Sequence, residues 1–104
     1  MLGGAQAQAS QVVDLIVESI QLVKDETGLT VPPRLHADTA LFGTEGFLDS
    51  MALVTLVIAL EQGIEEKFGV SVKLADAHAL SQEHSPYSTI YALAEYAVLR
   101  MQTD

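Results

Sequence analysis

The chain has no cysteine among its 104 residues. That excludes a disulfide framework, a thiolate metal site and a cysteine nucleophile. Positive charge is scarce as well. Five Lys and Arg face fourteen Asp and Glu, for a formal charge of −9. Affinity for DNA or RNA phosphates draws largely on Lys and Arg, so this balance argues against nucleic acid and favours basic partner surfaces. Long apolar runs are also missing. The longest, Met51 to Leu60 interrupted by Thr55, falls far short of the ~20 residues that a membrane helix needs. Met1 to Ser10 has no Lys or Arg and no apolar run, which is not the pattern of a signal peptide. The expectation is a soluble, cytoplasmic protein with no membrane span.

Enzyme signatures are equally sparse. The glycines fit neither a phosphate-cradling loop nor a dinucleotide fingerprint. Ser50 does not sit in a G-x-S-x-G elbow. The three histidines, His36, His78 and His84, have no metal-ligand spacing and read as ordinary surface residues. A chain this short has little room for a substrate pocket of ordinary size. The sequence therefore predicts a protein that is not itself an enzyme.

What the chain does have is apolar content, at 49%. That supplies one core, and the length fits a single domain spanning 1–104. Residues 1–10 are small and polar and read as a frayed start. Gln11 to Thr27 then shows helical spacing, with Val12, Val13, Ile16, Ile20 and Val23 in one stripe. Gly28 is a plausible stop, and Pro32-Pro33 blocks an early restart. From Leu29 to Asp49 no period holds. A connection of that length is unusual in a compact domain and is often functional. Leu35, Leu41, Phe42, Phe47 and Leu48 are spread along it and are expected to pin it to the core.

The clearest helix is predicted from about Ser50 to Phe68, where Leu53, Leu56, Val57, Leu60, Ile64 and Phe68 recur at three- and four-residue steps. Gly63 within it predicts a bend or close packing, and Gly69 ends it. Val70 to Val72 is short for a strand. A minor helical turn is expected within Asp76 to Leu80. Ser88 or Thr89 is placed to cap a last helix, whose inward residues are Ile90, Leu93, Ala94, Ala97 and Met101. The predicted fold is all-α: a small antiparallel bundle of three long helices plus one short helix, with a long loop between the first two long helices.

One segment stands out. Leu48-Asp49-Ser50-Met51 ends the long loop and brings a hydroxyl to the first residue of the best helix. A helix start offers free N–H groups and the positive end of the dipole, a favourable place for a phosphoryl group. The simpler reading is that Ser50 or Asp49 only caps the helix.

Around this tetrad the chain resembles the acyl carrier protein family, which includes peptidyl carrier domains, over about residues 11–102. Leu48-Asp49-Ser50-Met51 is similar to the family's D-S-[LM] motif. Asp38 to Phe42 resembles the loop before it. Leu53 to Glu61 and Glu66 to Val70 resemble the family's second helix and its exit, and Ile90 to Tyr96 resembles the final helix. The resemblance implies that Ser50 is the attachment point for 4′-phosphopantetheine. A phosphopantetheinyl transferase would install it from coenzyme A with magnesium, and the arm would carry acyl or aminoacyl groups as thioesters. It also implies that Asp49, Met51, Val54, Ile58, Glu61 and Glu65 serve motif and partner recognition, toward acyl-loading and acyl-using enzymes with basic docking surfaces. The carrier would act as a monomer. The residues leave Val54 open between core and surface, while Met51 and Ile58 are expected on the surface.

Two features depart from the family pattern. Ala52 and Thr55 stand where acids are common, and Gln62 to Glu65 reads as a four-residue insertion. Leu74 to Tyr87 is also long. These point to a specialised carrier. The alternatives are a peptidyl or aminoacyl carrier, and a helical interaction module in which Ser50 is only a cap.

Overall fold

Three apolar stripes at helical spacing call for three helices, and three are found among the described residues. The computed structural model describes residues 4–42, 46–74 and 87–103. Helix α1 is Gly4–Thr27, α2 is Ser50–Phe68 and α3 is Ile90–Thr103. The described residues contain no β-strand, only isolated backbone bridges pairing Ala40 with Thr89 and Phe42 with Leu48. The minor helix expected within 76–80 lies outside the described residues, as do Glu45, His78 and His84. The radius of gyration, 12.8 Å, is that of a compact chain of this length.

Helix α1 is the spine: both α2 and α3 pack against it. It begins at Gly4, seven residues before the expected start at Gln11. The reason is local, because the Ala and Gln of residues 5–9 are good helix formers although they carry little apolar signal. Val12, Ile16, Ile20 and Val23 are buried, and Ala9 extends their stripe by a turn. Val13 is only partly buried. Gly28 ends the helix at φ 74°, and its N–H bonds the Lys24 carbonyl at 2.8 Å.

Helix α2 buries Leu53, Leu56, Val57, Leu60 and Ile64, while Phe68 is half-buried. Gly69 closes it at φ 69°, with its N–H on the Glu65 carbonyl at 2.9 Å. Gly63 proves to be a point of close packing. A Cβ there would lie 3.0 Å from Leu15 Cδ1 of α1. The stretch Gln62 to Glu65 is therefore an integral part of α2, supplying Gly63 to the helix contact and Ile64 to the core.

Helix α3 buries Ile90, Leu93, Ala94, Ala97 and Val98, with Met101 half-buried. Thr89 is its cap: its Oγ1 accepts the Ala92 N–H at 3.0 Å. The first two N–H groups of α3 go to the long loop. Ile90 N–H bonds Thr39 O at 3.1 Å and Tyr91 N–H bonds Ala37 O at 2.9 Å. Leu41 N–H returns a bond to Ser88 O at 2.8 Å. The loop is thus sewn to the start of α3, and Leu41 and Leu48 are buried beneath it as expected.

A second tie lies outside the helices. Leu74 is fully buried. Its N–H donates to Glu61 Oε2 at 2.6 Å, and its carbonyl accepts from the hydroxyl of Tyr87, itself fully buried. The Tyr87 ring meets Tyr96 edge-on, with centroids 6.1 Å apart. Tyr87→Phe keeps the ring but strands a buried carbonyl, a penalty of about 1–3 kcal/mol. A urea unfolding curve is expected to show that loss at an unchanged slope.

Candidate functional site

The loop reaches α2 through a hook. Leu48 N–H bonds Leu41 O at 2.9 Å, so the described ends, Leu41-Phe42 and Gly46 to Leu48, meet. Gly46 sits inside this hook. A Cβ at that position would fall on the carbonyl carbon and oxygen of Leu41 and on the amide nitrogen of Phe42. Only hydrogen fits, so the glycine is dictated by close backbone approach.

Asp49 leaves the hook in extended conformation, φ −87° and ψ 179°, and caps α2. Its Oδ1 accepts the Ala52 N–H at 2.8 Å, and its carbonyl accepts the Leu53 N–H at 2.9 Å. The cap role therefore belongs to Asp49 rather than Ser50. Ser50 is the first helical residue and is exposed. Its hydroxyl makes no hydrogen bond among the described residues, and within that set the N–H groups of Ser50 and Met51 also meet no acceptor. The contrast with α3 is direct, since the loop takes the corresponding N–H groups there. An exposed nucleophilic oxygen thus stands beside two open donors at the positive end of a helix.

Along α2, the steps 51, 54, 58, 61 and 65 keep one face. Met51 is 79% exposed, Val54 38% and Ile58 45%. All three lie on the surface, which resolves Val54 away from the core. Glu65 and Glu66 are exposed further along, and Lys67 is the only basic residue in the last turn. The face reads apolar near Ser50 and acidic toward the far end. Glu61 differs from Glu65. It is half-buried, and its carboxylate holds the Leu74 N–H. Helical spacing alone gave no sign of that internal partner, which is thirteen residues away.

Beside Ser50 a groove of about 270 Å³ opens between the end of α1 and the start of α2, with Thr27, Leu29, Asp49, Met51, Ala52 and Thr55 around it. The described residues hold no cluster of His, Asp and Glu fit for a metal ion. No described helix is long and apolar enough to cross a membrane. The chain matches no family model, no curated protein and no solved structure.

Proposed function

We propose that the protein is an acyl carrier protein. In this reading Ser50 bears 4′-phosphopantetheine, donated by coenzyme A, and the arm's thiol carries acyl groups as thioesters to partner enzymes. The observation that carries it is the exposed hydroxyl of Ser50 on the first turn of α2, without a hydrogen bond among the described residues, inside the sequence Leu48-Asp49-Ser50-Met51. A cap serine would be expected to bond its own helix; here Asp49 does so and leaves Ser50 available. The open N–H groups suit a phosphodiester. The groove beside Ser50 leaves space next to the attachment point. The three long helices belong to an antiparallel bundle, completed by a short helix, of a monomeric cytoplasmic carrier. It has no catalytic residue of its own.

Met51, Val54 and Ile58 provide apolar contact for docking, and Glu65 provides charge for orientation. The partners are a phosphopantetheinyl transferase and enzymes that load or use the acyl group. The test is an intact mass after incubation with coenzyme A, magnesium and a broad-specificity transferase. One phosphopantetheine arm is expected per chain; an unchanged mass removes the proposal. Exposed charge acts mainly on encounter, so Glu65→Lys is expected to lower the transferase's kcat/KM about five- to tenfold while leaving the unfolding midpoint in place. Equal rates for the two proteins at low salt would show that Glu65 takes no part.

The same apolar and acidic face also suits a helical interaction module, with no arm. A peptidyl or aminoacyl carrier would share the attachment chemistry and differ in cargo.

A further inference from the structure

The face of α2 that offers acids to solvent also reaches into the fold at one point. Glu61 shares that face with Met51, Val54, Ile58 and Glu65, yet its carboxylate holds a backbone N–H at 2.6 Å. That N–H belongs to Leu74, whose side chain is fully buried and whose carbonyl is held by the buried Tyr87 hydroxyl. One peptide segment is thus gripped from two elements, by a carboxylate on the outside of α2 and by a phenol ahead of α3. Between Gly69 and Leu74 no described backbone bond ties the chain to a helix or loop other than the Gly69 bond that ends α2. Val72 and Leu74 hold this run by burial, and Glu61 holds it by charge-assisted hydrogen bonding.

We propose that Glu61 is a latch, which a partner bearing arginine on its docking surface opens. A guanidinium arriving at this half-buried carboxylate offers a bidentate, charge-paired contact, stronger than the Leu74 amide N–H. Glu61 turns to the partner, the Leu74 N–H passes to water, and the run 70–74 loosens from the core around Tyr87. Docking on α2 is thereby coupled to the interior of the bundle through one residue. The coupling is reciprocal: a chain with the run already loosened binds the cation more tightly. Glu61 is a positioning residue in this scheme, and the scheme holds whether or not Ser50 is modified.

Amide hydrogen exchange followed by NMR reads the latch directly. Adding a short oligo-arginine peptide to the wild-type chain is expected to speed exchange at Leu74 about tenfold or more, with Ile16 and Ile20 of α1 unchanged. Glu61→Ala is expected to speed Leu74 to a similar degree without peptide and to remove the peptide's effect there. Glu61→Gln keeps an acceptor oxygen, so it is expected to restore most of the protection while responding less to the peptide. Exchange at Leu74 that stays constant while the peptide visibly shifts Glu65 resonances overturns the proposal. Glu61→Ala that speeds α1 and Leu74 alike overturns it too, because the bond would then serve only global stability. Should Glu61→Ala fail to fold, the peptide titration of the wild-type chain and of Glu61→Gln decides alone.

Discussion

Ser50→Ala is expected to abolish loading entirely and to leave the fold as it was. The two effects separate because the side chain has no structural duty. It is exposed, makes no hydrogen bond among the described residues, and leaves capping to Asp49. Surface changes of this sort move stability by no more than about 0.5 kcal/mol. Alanine is also a good helix former. With coenzyme A, magnesium and a transferase, the wild-type chain is expected to gain the mass of one arm and the variant none. The helical circular dichroism and the urea midpoint of the two chains coincide. An arm on the Ser50→Ala chain would move the attachment to another residue. Asp49→Ala gives the useful contrast, since losing the cap costs about 0.5–2 kcal/mol while the hydroxyl stays in place.

Gly46→Ala is expected to have the opposite profile, with damage to the fold and, through it, to the site. The added methyl has to displace the backbone of Leu41 and Phe42 rather than the tip of a flexible side chain. Overpacking of this kind costs about 1–3 kcal/mol, and contact with backbone puts it near the upper end. The strain falls on the Leu48–Leu41 bond that closes the hook and on the buried pair Leu41 and Leu48. Asp49 and Ser50 follow directly from that hook, so the loading proposed for Ser50 is expected to slow at temperatures where the chain is still folded. Urea unfolding and the loading rate measure the two effects. Wild-type values for both would mean that residues 41–48 do not need the close approach at Gly46.

The helices were legible because their signal is periodic. Val12, Ile16, Ile20 and Val23, and then Leu53 to Ile64, each mark a buried stripe, and Gly28 and Gly69 mark the ends. Met51, Val54 and Ile58 were legible as a second phase on α2, with Met51 and Ile58 expected on the surface, while spacing left Val54 open until the structure placed it there as well. Aperiodic features were harder to read. Tyr87, Val72 and Leu74 are buried outside any helix, where no repeat identifies them. Val98 was passed over although it lies one helical turn beyond Ala94 on the buried side of α3. Glu61 looked like Glu65 because a hydrogen bond across thirteen residues leaves no trace in local spacing. The choice between Asp49 and Ser50 as cap turned on a side-chain rotamer, which a sequence does not encode by itself.

The stitching of the long loop to α3 bears on timing. Among the described residues, Ser88, Ile90 and Tyr91 supply three of the five backbone bonds that hold 37–41, and the bond between Leu41 and Leu48 in turn holds the start of α2. A ribosome must therefore deliver the chain as far as Tyr91 before the serine's shelf exists. Any enzyme that recognises the shelf meets only chains made past Tyr91, and a product cut short before it is passed over without a separate proofreading step.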